Sequence, residues 1–289
     1  MIRHLHNMFR IVRKYVWTTG YKRIEIIKTN PKEKDVSAAF DIETEQTVIS
    51  YCKRNNLAVH ILSEESGLVK LSSSPDWTLI VDPVDGSTNL KKGIEGSTFN
   101  VAVLPGEIKH IRTTDVGFAI IGSLISGGYC LAKKGMGTIY NGPFSGFVPK
   151  KVFTSANPSL QNSCIEFDLD FALNESINRL DLLEGRKIER ILPFLHPERK
   201  IKHLRRNGSA GMGLMATATG AVDAYIDARD ISTPENWLGA YLLITEAGGI
   251  FTGLNGNSII EVESLVTPYS YVASGNAILH QQILNCLKL

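Results

Sequence analysis

The chain has 289 residues, 43% of them hydrophobic and 21% charged, with a formal net charge of +2. Such a chain buries a substantial core, as one large domain or two closely packed lobes, and its composition is that of an ordinary soluble globular protein. Lys and Arg form no long basic run, so nothing calls for nucleic acid as a partner.

Residues 1–22 mix Arg3, Arg10, Arg13, Lys14 and Lys22 with Met8, Phe9, Ile11, Val12, Tyr15, Val16 and Trp17. No apolar leader core or small-residue cleavage site follows, so the pattern predicts a first helix packed on the core rather than a targeting segment. No stretch has the apolar length that spans a bilayer. A second helix is expected over about 40–55, with Ile42, Val48, Ile49 and Cys52 as its apolar face. A short apolar run at 57–62 leads into Ser63-Glu64-Glu65-Ser66, and 77–81 reads as a buried strand that ends where Asp82-Pro83-Val84-Asp85-Gly86-Ser87-Thr88-Asn89 begins.

Between residues 99 and 140, β-rich segments at 100–104, 116–121, 126–132 and 137–140 alternate with Gly turns, the mark of an antiparallel sheet. Beyond residue 155, strands alternate with helices. Strands are expected at 164–167, 224–227 and 271–274, and helices at 173–195, 209–219, 237–247 and 277–286. An antiparallel-rich first half and an α/β second half predict stacked sheets between helical layers, with any boundary near 145–155. That gives an N-terminal lobe over 1–150 and a C-terminal lobe over 151–289. Cys52, Cys130, Cys164 and Cys286 lie far apart with no metal-ligand spacing, so they are expected as reduced thiols in a cytoplasmic protein.

The segment 82–88 carries the chemistry. Asp82 precedes Pro83, which biases its backbone towards an extended conformation, and Asp85 follows three residues later. A tight bend there aims two carboxylates and the Val84 carbonyl at one point, and oxygen donors of that kind suit Mg²⁺. Gly86-Ser87-Thr88 then offers a hydroxyl and free N–H groups at a helix start, a favourable place for an anion. The plain alternative is an acidic turn with a helix cap, since Asp-Pro and Asp-Gly pairs are common in turns. Glu64-Glu65 adds two acids about 20 residues upstream, and Asp41 adds a third at an expected helix start.

Taken together, these residues resemble the inositol monophosphatase superfamily, which includes archaeal enzymes acting on inositol phosphates and fructose-1,6-bisphosphate. Ser63-Glu64-Glu65-Ser66 is similar to its Gly-Glu-Glu-Ser segment, and Trp77 through Asn89 fits its first signature at every defined position. Asn207-Gly208-Ser209-Ala210 resembles its strand-to-helix turn near the substrate. Gly220 through Tyr225 and Leu242 through Gly249 resemble its second signature.

The resemblance implies a layered α-β-α-β-α sandwich, a phosphomonoesterase acting on a small sugar or polyol phosphate, lithium sensitivity and a homodimer. Glu64, Asp82, Asp85 and the Val84 carbonyl are implied as ligands of two Mg²⁺ ions, with Asp41 beside a third, more weakly held. Glu65 and Ser87 are implied to orient and deprotonate the attacking water. The N–H groups of Gly86, Ser87 and Thr88 are implied to cradle the phosphate. Ser209, Asp227 and Arg229 are implied near the substrate. His203, Arg205 and Arg206 are open candidates for a second phosphate or for a plain basic rim.

One position departs from the pattern. Ten residues before Glu246, where the family places an aspartate ligand of the second metal, this chain has Asn236. Three readings stand open: Asn236 acts as a neutral ligand, Glu235 or Asp230 replaces the missing acid, or the chain binds a phosphorylated ligand without turnover. A helix cap is the bland account of Asn236. A nucleotide 3′-phosphatase acting on phosphoadenosine phosphate is the alternative within the class.

Overall fold

A computed structural model describes residues 1–20, 22, 34–169, 190–196, 201–259 and 261–288, of which 34–39 are described as backbone. The expected helix over 173–195 falls mostly outside these. Helix α1 (Ile2–Tyr15) buries Leu5, Met8, Phe9 and Val12, spaced i, i+3, i+4, i+7 along a single face. Helix α2 (Lys34–Arg54) packs beside it through Phe40, Val48, Ile49 and Cys52. Ile42, expected on that buried face, is instead 45% exposed.

Both helices cover one face of an eight-stranded sheet. Its strands are β1 (Val59–Ser63), β2 (Gly67–Lys70), β3 (Trp77–Asp85), β4 (Thr98–Pro105), β6 (Phe118–Ser123), β7 (Tyr129–Lys133), β8 (Thr138–Asn141) and β9 (Lys150–Val152). They lie in the order β2-β1-β3-β4-β6-β7-β8-β9, with β1 and β3 parallel and every other pair antiparallel. A two-stranded ribbon pairs β5 (Ile111–Arg112) with β14 (Glu261–Val262).

A second sheet orders β11 (His203–Arg205), β10 (Cys164–Phe167), β12 (Ala224–Ser232), β15 (Tyr269–Ser274) and β13 (Ile250–Gly253). Between the sheets lie α5 (Ala210–Ala218) and α6 (Pro234–Glu246). The outer face of the second sheet is covered by the short helix α4 (Leu192–Leu195) and by α7 (Ala277–Leu287), through Phe194, Leu279 and Ile283. A six-residue helix, α3 (Ser87–Lys92), follows β3 directly. The layers run α-β-α-β-α, as expected.

Sequence explains why α5 and α6 sit in the middle. Helix α5 is Ala210-Gly211-Met212-Gly213 at its start, and a Cβ on Gly211 would stand 2.1 Å from Thr98 Oγ1 of the first sheet. Only a bare backbone fits that close. Helix α6 carries Trp237, fully buried and stacked on Phe251 at 5.6 Å with Tyr271 at 5.8 Å. Removing such a ring costs roughly 3–5 kcal/mol, so Trp237 pins the start of α6 in place. Among the described residues, no helix is long and apolar enough to cross a membrane.

Candidate active site

The parallel pairing of β1 with β3 decides where the acids meet. Its register sets Ser63 beside Val81, so Glu64-Glu65, in the turn after β1, come out beside Asp82-Pro83 of β3. Strand β3 does not stop before the acidic motif, as the sequence had suggested. It continues to Asp85, with two residues of β3, Pro83 and Val84, set against Phe99 alone on β4 between the Asp82–Asn100 and Asp85–Thr98 pairs. This bulge turns the two aspartates to different partners.

Asp82, 8% exposed, accepts from the Val84 N–H on Oδ1 at 2.9 Å and from Asn236 Nδ2 on Oδ2 at 2.9 Å. Asp85 Oδ2 accepts from Thr98 Oγ1 at 3.2 Å, Ser209 Oγ at 2.7 Å and the Gly211 N–H at 2.6 Å. The starts of α3, α5 and α6 thus all turn towards the acidic edge, where their positive ends favour negative charge. Chain entry into α3 needs Gly86 at φ 76°. A Cβ there would also lie 2.8 Å from the Gly96 carbonyl oxygen, so no side chain fits.

Asp41, Glu64, Glu65, Asp82, Pro83, Val84 and Ser87 line one hollow of about 200 Å³. Asp41 comes from α2, Glu64 and Glu65 from the turn after β1, Asp82 and Val84 from β3, and Ser87 from α3. Lys91 Nζ reaches in to Asp41 Oδ2 at 2.7 Å, while Asp41 Oδ1 is buried with no hydrogen-bond partner. Thr88, one residue past Ser87, is exposed.

Burial first, and neighbouring negative charge after it, raises the carboxyls of this site. Burial, reinforced by Asp85, raises the Asp82 carboxyl well above the usual range, with Glu235 and Glu64 adding to the rise. Burial also raises Asp85, although the Gly211 and Ser209 donors hold it down. Glu65 rises through burial and through Asp41, Glu64 and Glu45. A cavity with this surplus of oxygen donors and an orphaned Asp41 oxygen suits a hard divalent cation, which would relieve the repulsion. Among the described residues, no three His, Cys, Asp or Glu side chains already stand at ligating distance from one point. Part of the reason is that the aspartate oxygens are turned to protein donors.

The remaining expected residues lie deeper. Ser209 caps α5 by accepting from Met212 N at 3.3 Å while donating to Asp85. Asp227 is fully buried, its carboxylate held by Arg229 Nε at 2.9 Å and Nη2 at 2.6 Å. Arg229 also pairs with Asp168 at 2.8 Å. Neither Asp227 nor Arg229 borders the hollow. His203, Arg205 and Arg206 are exposed on and after the edge strand β11. Asp230 points elsewhere, to Arg190 at 3.1 Å and to Ser270. Glu235 instead feels Glu64 and Asp85.

Four contributors escaped the sequence reading. Thr98 and Gly211 orient Asp85, and Asn89 Nδ2 ties α3 to the carbonyls of Asn207 at 2.7 Å and Gly208 at 3.1 Å. A threonine in a strand and a glycine in a helix carry no signal of such a role. Lys91 was open to detection as the first cation after a motif that contains none, but its partner lies 50 residues away.

Residues 9–288 match the sequence profile described as the inositol monophosphatase family. A bifunctional NADP phosphatase/NAD kinase of Methanococcus maripaludis is 26% identical over 84% of this chain, which spans only 41% of that relative's length. A fructose-1,6-bisphosphatase/inositol-1-monophosphatase of Methanothermobacter thermautotrophicus is 25% identical over 86% of this chain and 82% of its own. In three dimensions, the extragenic suppressor protein SuhB of Bartonella henselae aligns with a TM-score of 0.70 at 18% identity, covering 100% of this chain and 98% of that one.

Proposed function

Because the chain belongs to the inositol monophosphatase family and is with it a phosphoric monoester hydrolase, we propose that it cleaves a small sugar or polyol phosphate with Mg²⁺ at the acidic hollow. The observation that carries this reading is the convergence of Asp41, Glu64, Glu65, Asp82 and Ser87 from four separate elements on one cavity. Mg²⁺, when bound, neutralises the ester's charge and acidifies a water for attack.

The chain's own residues do the rest. Glu64, Asp82, Asp85, Asp41 and the Val84 carbonyl supply oxygen ligands, with Asn236 beside them. The orientation of its amide favours donation to Asp82 over direct ligation. Glu65, its carboxyl raised by burial and by neighbouring acids, accepts a proton from the water more readily than an ordinary glutamate, and Ser87 positions that water beside it. The first N–H groups of α3, at Gly86, Ser87 and Thr88, have no partners within the helix and are offered to the phosphoryl oxygens. Ser209, Asp227 and Arg229 support the substrate side from behind: Ser209 by fixing Asp85, and the Asp227–Arg229 pair by holding Asp168.

Phosphate release tests the proposal. The substrates are inositol-1-phosphate, fructose-1,6-bisphosphate, phosphoadenosine phosphate and NADP, each with Mg²⁺ and with chelator. Mg²⁺-dependent release from either of the first two is expected. Release only from the nucleotides would move the chain to nucleotide phosphatase chemistry. A panel silent throughout would leave a ligand-binding protein without turnover.

A further inference from the structure

We infer that Glu235, and not Asn236, supplies the negative charge of the second cation position, so that the acid has moved one residue along the start of α6. The inference rests on the Mg²⁺ reading above and names a residue that the family pattern does not use.

Glu235 is 4% exposed, on the first turn of a 13-residue helix. Its Oε1 accepts from Thr233 Oγ1 at 2.5 Å, but its Oε2 is buried with no hydrogen-bond partner. A carboxylate oxygen is not left bare in a protein interior without cause, because the missing partner costs the full desolvation of the group. No basic side chain is recorded in an ion pair with it among the described residues. Instead its neighbours are acids. Glu235 adds to the charge felt by Asp82, and Glu64 and Asp85 add to the charge felt by Glu235.

Buried Asp82 and Glu235, half-buried Asp85 and exposed Glu64 gather four carboxylates at one edge, one with an oxygen that has no hydrogen-bond partner, and such a set suits a cation. Asn236 cannot supply what is missing. Its Nδ2 donates to Asp82 Oδ2, which turns its own oxygen towards Thr233 Oγ1 at 3.3 Å. The two neighbours divide the work that a single aspartate would do. Asn236 orients Asp82 by hydrogen bond, and Glu235 brings the charge. Asp230 is removed from the contest by its pairing with Arg190.

Calorimetric titration of the chelator-treated full chain with MgCl₂, paired with thermal unfolding in EDTA and in Mg²⁺, tests this. Glu235→Gln keeps the shape and the Thr233 contact but loses the charge. Its Mg²⁺ affinity is expected to fall at least ten-fold, or one equivalent of binding to vanish. In EDTA, Glu235→Gln is expected to melt higher than the unsubstituted protein, since buried repulsion is relieved, and its rise in Tm with Mg²⁺ is expected to shrink. Glu235→Asp, which keeps the charge but withdraws the oxygen, serves if the Gln form does not fold, with the same weakening expected.

An Mg²⁺ isotherm and an Mg²⁺-induced Tm rise equal to those of the unsubstituted chain would overturn the inference alone. An unsubstituted chain that takes up no Mg²⁺ would overturn both this inference and the proposed metal dependence.

Discussion

Asp85 and Ser209, 124 residues apart in the chain, are joined by a hydrogen bond of 2.7 Å from the Ser209 hydroxyl to Asp85 Oδ2. The same hydroxyl accepts from Met212 N and so caps α5. One side chain therefore links the acidic edge of the first sheet to the helix wedged between the sheets.

Ser209→Ala is expected to cost about 1–2 kcal/mol, the loss of an N-cap together with a donor to a buried carboxylate. Urea unfolding of the metal-free protein measures it. A loss below about 0.3 kcal/mol would mean that Gly211 and Thr98 hold Asp85 without help.

Lys91 places an ammonium 2.7 Å from Asp41, one of the residues lining the hollow, and a divalent cation taken up by that carboxylate would have to compete with it. Lys91→Gln is expected to lower the Mg²⁺ concentration for half-maximal binding roughly five-fold, an effect of about 1 kcal/mol, with little change in stability because the pair is partly exposed. Mg²⁺ titration at low and moderate salt checks it. Weaker Mg²⁺ binding in the variant would show that the ammonium supports the cation site rather than opposing it.

Asn236→Asp replaces a donor with a carboxylate opposite Asp82, at a separation of 2.9 Å. Metal-free protein is expected to lose roughly 1–3 kcal/mol through the lost hydrogen bond and the new repulsion, and to regain more than that on adding Mg²⁺. Melting curves with and without the ion read both terms. A variant whose Mg²⁺ response matches the parent's would place residue 236 outside the cation's reach.

Glu166 is pushed up to about 7 by burial, even though the Asn207 N–H and Nδ2 donate to it at 3.1 and 2.8 Å. A carboxyl raised on folding binds more protons in the native state than in the unfolded one. Its contribution is therefore complete below the unfolded value near 4.5 and is lost as pH rises through about 7. A rise of that size corresponds to roughly 3 kcal/mol across the window. Stability of the metal-free protein from pH 5 to 8 is expected to fall less steeply in Glu166→Gln than in the parent. Parallel curves would remove Glu166 from the titration.

Much of this protein was legible in its residues alone. Strands and helices followed from alternation and from apolar periodicity, because burial of one face is a local demand written into neighbouring positions. The segment from Trp77 to Asn89 announced its chemistry because acids, proline, glycine and hydroxyls stand at fixed spacing in one short stretch. Even so, the strand was expected to stop before Asp82, and it does not. Whether a bulge carries pairing past a proline depends on the partner strand, and Thr98 and Asn100 lie too far along the chain to be read together with it.

Tertiary structure decided which acids face the hollow. Parallel pairing of Ser63 with Val81 brings Glu64 to Asp82, and the wedge of α6 between two sheets brings Asn236 and Glu235 to the same edge from about 150 residues away. A carboxylate's partners are set by register, helix placement and packing over long separations, and composition cannot encode them. The amino-acid order by itself determined the kinds of group available and the elements that carry them. Only the packed chain settled that Asp227 is locked to Arg229, that Asp230 turns away to Arg190, and that a buried Glu235 oxygen is left without a partner.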